Sequence, residues 1–137
     1  MDSKVENRGS YIYVQVSGEL KKDDESQYNE ARRIALEVIK LADQTGITKI
    51  FCDAESLSGE ISFATRVSFS LFLVNQNIEQ LKKRKYVFQV AFLTRSEIID
   101  PGKIAVAILR NRGVNVLVTT DMPEAVRWLG IDTPVKE

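Results

Sequence analysis

Strand-like and helix-like segments alternate along this chain, and that alternation limits its folds more than any other feature. The clearest strand is Tyr86-Val-Phe-Gln-Val-Ala-Phe-Leu-Thr94, an almost unbroken apolar run. Such a strand belongs inside a sheet covered on both faces. Tyr11-Ile-Tyr-Val-Gln-Val16 lies between Gly9 and Gly18 and reads the same way. Thr48-Lys-Ile-Phe-Cys-Asp53 and Val114-Asn-Val-Leu-Val-Thr119 supply two more strands. Between Asp53 and the next helix, Ala54 to Ile61 holds Ser, Gly and Glu and is expected to be a loop.

Helix signals fill the gaps. Asp24 with Gln27 matches a capping box, and Gly46 stands where a helix C-terminal glycine belongs. Between them Tyr28, Ala31, Ala35, Val38 and Ala42 recur at helical steps, widened by Ile34, Ile39 and Leu41. A second helix is expected from about Ser62 to Arg84, with Val67, Leu71, Val74, Ile78 and Leu81 facing the sheet. Asp100-Pro101 opens a shorter helix that Gly113 ends. Asp121 with Glu124 opens the last, Pro123 to Leu129, and Ile131 to Glu137 reads as a tail. Parallel strands need helical crossovers, so the expectation is one α/β domain over residues 1–137. Its core should span about 11–130, around a mostly parallel sheet of about four strands.

Composition then removes whole classes of chemistry. The chain has no His and one Cys, so His-based triads, Cys-His pairs and His-metal sites are excluded along with any internal disulfide. No metal or cofactor is expected. Neither nucleotide-cradling glycine motif occurs, nor a Gly-x-Ser-x-Gly elbow. With 19 basic and 19 acidic residues the net charge is +0, which gives no pull toward nucleic acid. Met1 to Ser10 is polar, carrying Asp2, Lys4, Glu6 and Arg8, and no apolar run reaches the roughly 20 residues of a membrane helix. A cytoplasmic protein without membrane insertion is expected.

The polar residues that remain are few. Asp53 and Glu55 share a strand face as a carboxylate pair, although a capping Asp and an exposed Glu explain them as well. Lys82-Lys-Arg-Lys85 ends the second helix, where cations suit the helix dipole. Cys52 sits mid-strand among apolar neighbours as inert core. Asp53, Ser56, Ser58, Ser62, Thr94 and Arg95 all follow strand ends, and open α/β sheets bind ligands at that edge. They form the candidate ligand or partner surface, with Ser62 at a helix start as the candidate phosphosite.

The order and spacing of three segments resemble the STAS domain family of anti-sigma-factor antagonists. These are Val14-Gln-Val-Ser-Gly-Glu-Leu20, Lys49-Ile-Phe-Cys-Asp-Ala-Glu-Ser-Leu57 and Pro123-Glu-Ala-Val-Arg-Trp-Leu129, the last similar to the terminal helix of the STAS-like subgroup related to CRAL-TRIO lipid-binding domains. The resemblance runs from about Tyr11 to Gly130. Antagonists of this family carry Asp-Ser-Ser-Gly where this chain has Glu60-Ile-Ser-Phe-Ala64, so Ser62 keeps one serine without its acidic and glycine neighbours. The resemblance implies a non-enzymatic regulatory or interaction module, with a small-ligand carrier for a lipid-like or anionic molecule as the alternative. Phe69, Phe72 and Leu73 point away from the expected sheet-facing stripe, which suggests a homodimer through them.

Overall fold

The computed structural model describes residues 1–84, 87–95 and 104–134. Its elements are β1 (Asp2–Asn7), β2 (Ile12–Glu19), α1 (Asp24–Thr45), β3 (Lys49–Ser58), α2 (Phe63–Arg84), β4 (Gln89–Leu93), α3 (Ile104–Asn111), β5 (Asn115–Thr119) and α4 (Met122–Leu129). The expected third-helix start at Asp100-Pro101, the strand start at Tyr86 and the end of the tail lie outside the described residues.

The five strands form one mixed sheet in the order β1-β2-β3-β4-β5. β1 pairs antiparallel with β2, and every other pair is parallel, joined by α1, α2 and α3. The α/β class therefore holds, with one strand more than expected. β1 is that strand, and its charges hid it. β1 carries Lys4 and Glu6 and runs on into Arg8, with Glu6 paired to both cations at 2.7 Å, and charge is a usual protection of an exposed edge strand. Gly9, at φ 87, makes the turn back to Tyr11, whose carbonyl accepts from the Arg8 amide at 2.9 Å.

β3 also departs from expectation, running on to Ser58 where a loop was foreseen. The register jumps from Gln15↔Asp53 to Ser17↔Ser56, so β3 carries one extra residue there. A bulge of this kind reverses the alternation of faces beyond it. Leu57 is consequently turned into the core, while Ser56 and Ser58 are exposed.

Each sheet face has its own core. On one face Tyr13, Phe51, Ala91 and Leu93 pack under Ala125 and Leu129 of α4. On the other, Val14, Val16, Ile50 and Ala54 meet Ile34, Val38 and Ala42 of α1, and Val116 meets Leu109 of α3. α1 behaves as its stripe foretells, ending at Gly46 in the left-handed region with its amide on the Ala42 carbonyl. Its N-cap is Asp23, one residue before the expected Asp24, with the carboxylate accepting from the Ser26 amide at 2.9 Å. At α4 the N-cap is Asp121 as expected, but its side chain makes no capping bond.

One polar pair lies within the α4 face. The Tyr13 hydroxyl donates to Asp53 Oδ2 at 3.2 Å, with both residues almost fully buried and the Arg8 guanidinium 4.5 Å from the Tyr13 ring centroid. Tyr13→Phe is expected to destabilise the fold by about 1–3 kcal/mol, because it removes a donor from a buried carboxylate. Burial, reinforced by the adjacent Asp53 charge, raises the Tyr13 phenol well above its ordinary 10.0. The folded protein then holds a proton that the unfolded chain releases, so this contribution is complete below about pH 10 and lost as pH rises further. Denaturant titrations should show a steeper alkaline loss of stability in the parent than in Tyr13→Phe.

Candidate functional site

The backbone of α2 runs close to α1 and α3 but not to a strand, and Val74 joins Leu109 of α3 and Val116 of β5 in one buried cluster. Between α2 and the sheet lies a cavity of about 280 Å³, partly open to solvent. Its floor is Val14, Val16, Ile50, Cys52, Val90 and Phe92, and its far walls are α1 and α3. The lining is overwhelmingly apolar.

Why α2 is held away from the sheet is clear at its start. Gln27, buried in the first turn of α1, donates through Nε2 to the carbonyls of Lys21 at 2.6 Å and Glu60 at 2.8 Å. Its Oε1 accepts from the Ser62 amide at 3.1 Å. One glutamine thus fastens the loop before α2 to α1. Ser62 then caps α2, its Oγ accepting from the Thr65 amide at 3.1 Å and donating to Thr65 Oγ1 at 2.8 Å. Farther along, Phe72 meets Tyr28 of α1 edge-on, with centroids 6.5 Å apart, and stacks with Phe69 at 6.1 Å.

These contacts rotate α2 away from the sequence expectation, although Val74, expected on the sheet, is buried in one cluster with Leu109 and Val116. Phe69 and Leu73 line the cavity and Phe72 packs on α1, so the trio put forward as an outward dimer surface faces inward. Leu71, Ile78 and Leu81, expected on the sheet, are exposed together with Phe63 at 56%. The inward face also carries polar groups that the sequence reading passed over: Arg66, Ser70 and Asn77 line the cavity. Their spacing of four and seven residues forms a polar stripe, which a surface helix normally gives to water.

The candidate edge residues divide. Thr94 lines the cavity and is buried, while Ser62 sits half-buried at the roof's first turn. Arg95 is half-buried directly after Thr94. Asp53 belongs to the opposite face, bonded to Tyr13 and accepting from the Glu55 amide at 3.1 Å, so it forms no open carboxylate pair. Ser56 and Ser58 are exposed, and Ser58 Oγ donates to the Gly18 carbonyl at 3.3 Å. The six therefore do not make one patch.

Two buried side-chain atoms in the cavity wall, Asn77 Oδ1 and Thr94 Oγ1, have no hydrogen-bond partner among the described residues. Cys52, on the floor, is the single cysteine of the chain, and burial pushes its thiol up to about 12. Among the described residues no group of three or more His, Cys, Asp or Glu is placed to hold a metal, and no helix is long and apolar enough to cross a membrane. No protein-family model and no curated protein matches the sequence.

The Ser62 cap is directly testable. Ser62→Ala should lose about 1 kcal/mol of stability, and Ser62→Asp should hold parental stability because an acid caps and suits the dipole. Thermal melts of both variants check this, and Asp falling below Ala would contradict the cap.

Proposed function

We propose that this protein is a non-enzymatic cytoplasmic module that binds an apolar small molecule between α2 and the sheet. The cavity carries the reading. An apolar space of about 280 Å³ under a helix leaves its wall atoms without the neighbours a packed interior would give them. Water is a poor occupant, because each molecule wants about 2–4 polar partners and these walls offer few. A ligand with apolar carbons supplies the missing contacts, and the partial opening lets it reach the floor.

Cys52 provides a built-in reporter. Native mass spectrometry of the protein as purified should show an additional small bound mass, lost on organic extraction. In the extracted protein, methyl methanethiosulfonate should label Cys52 faster, and added decanol should slow the reaction again. Ala35→Leu, which fills part of the cavity, should abolish the decanol effect while raising the stability of the extracted protein by about 0.5–2 kcal/mol. Labelling that ignores decanol would contradict the proposal.

A second reading, as an interaction module, has its own support in the outward stripe of α2 and in the STAS-like resemblance. Phe63, Leu71, Ile78 and Leu81 fall in one arc of the helix at about 100° per residue. Its proposed occupant is a second copy of this chain, since the stripe runs nearly the whole helix and pairs with itself across a two-fold axis. Ile78→Glu should convert a dimeric parent into a folded monomer in sedimentation equilibrium. A parent that is monomeric at high concentration would contradict it.

A further inference from the structure

The two edge strands of the sheet are built differently. β1 is polar at every position but Val5, and Glu6 pairs with Lys4 and Arg8. β5, at the other edge, reads Asn115-Val-Leu-Val-Thr119 and carries no charge of its own. Among the described residues it pairs with β4 alone. An uncharged strand rich in β-branched residues at a sheet edge invites pairing with another chain.

The hydrogen bonds show which backbone groups are on offer. The Thr119 carbonyl accepts from the Thr94 amide at 2.9 Å, so it faces the β4 side. Backbone groups of successive strand residues point to opposite sides, so Val116 and Val118 turn theirs away from β4. The Val116 carbonyl is nonetheless occupied. Arg110, in the last turn of α3, donates to it through Nε at 3.2 Å and through Nη2 at 3.1 Å. A short return from α3 into β5 makes that reach possible. Gly113 turns at φ 80, and the Val114 amide donates back to the Leu109 carbonyl at 3.0 Å. The guanidinium is thus committed to a backbone carbonyl, with no carboxylate paired to it among the described residues.

We propose that Arg110 guards the β5 edge and keeps it from pairing with β5 of a second copy of this chain. Related by a two-fold axis, two such strands run antiparallel and fuse two sheets into one. Pairing of that kind must take the Val116 carbonyl from its charge-assisted donor. It also brings two guanidinium groups to one seam, where like charges oppose association. A charge beside an apolar strand that cannot itself be made polar is a recurrent device against aggregation. Val116 and Val118 cannot be made polar, because both pack toward α3 in one apolar cluster. This role depends on the sheet topology and is independent of what fills the cavity.

The test uses full-length protein carrying Ile78→Glu, so that the outward stripe of α2 does not contribute to association. Arg110→Met keeps the aliphatic stem and removes both donor and charge. It should fold, by circular dichroism, and form dimers or larger species with rising concentration in sedimentation velocity. Amides of Val116 and Val118 should then exchange at least about tenfold more slowly than in the parent, with β1 unchanged. Arg110→Gln, a second neutral replacement, should shift the same way, and Arg110→Lys should stay monomeric. Adding Val118→Pro to Arg110→Met removes the outward Val118 amide without touching the β4 ladder, and should restore the monomer. Folded Arg110→Met and Arg110→Gln proteins that stay monomeric at high concentration would overturn the proposal. Association that Val118→Pro leaves intact, with Val116 and Val118 exchanging as in the parent, would place the contact elsewhere and overturn it equally.

Discussion

Gln27 is the joint on which the arrangement of this molecule turns. Its amide is buried in the first turn of α1 and makes three hydrogen bonds, two to carbonyls and one from the Ser62 amide. A buried amide fully engaged in this way has one orientation available, because any rotation leaves a donor or acceptor stranded. The chain therefore enters α2 from a fixed point beside α1. From that point the helix passes over α1 and α3, with Phe72 on Tyr28 holding its side position. α1 and α3 cover much of the sheet beneath, and the cavity is the space left between them under α2.

α2 then faces two environments that conflict with its composition. Asn77 and Gln80 point into the protein with carbonyl oxygens that have no partner among the described residues, and Leu71, Ile78 and Leu81 point out. Buried unpaired polar atoms cost about 1–3 kcal/mol each, so the orientation needs a compensating contribution. On the proposed reading, an apolar ligand provides one by filling the space beside Phe69 and Leu73. Ligand binding and the placement of α2 are on this account the same event, which ties a carrier function to the outward surface of one helix.

Much of the fold was legible because it depends on local pattern. Glycine at a left-handed helix end, as at Gly46, and the apolar stripe of α1 need no tertiary information. The run around Val90 to Leu93 marks a central strand because it is apolar on both sides, and it lies between β3 and β5. Other features depend on partners distant in sequence. β1 is polar because it is an edge, so its signal resembles that of a loop. The bulge after Asp53 depends on pairing with β2, and it decides that Leu57 rather than Ser56 enters the core. α2 was the hardest case. It carries two apolar stripes, and only the Tyr28 contact and the Gln27 anchor decide which one turns inward. The cavity was hidden for the same reason, since Thr94 was visible as an edge residue while nothing in the local pattern singled out Arg66 or Asn77.

The central claim is that an apolar occupant holds α2 in place above the sheet. Amide hydrogen exchange tests it most directly, because exchange reports local opening element by element. In protein stripped by organic extraction, amides of α2 from about Val67 to Gln80 should exchange quickly, while those of β2, β3 and β4 remain protected. Adding decanol should slow α2 by at least about tenfold and leave the central strands unchanged. Equal exchange in α2 with and without decanol, at concentrations well above those that protect Cys52, would contradict the account.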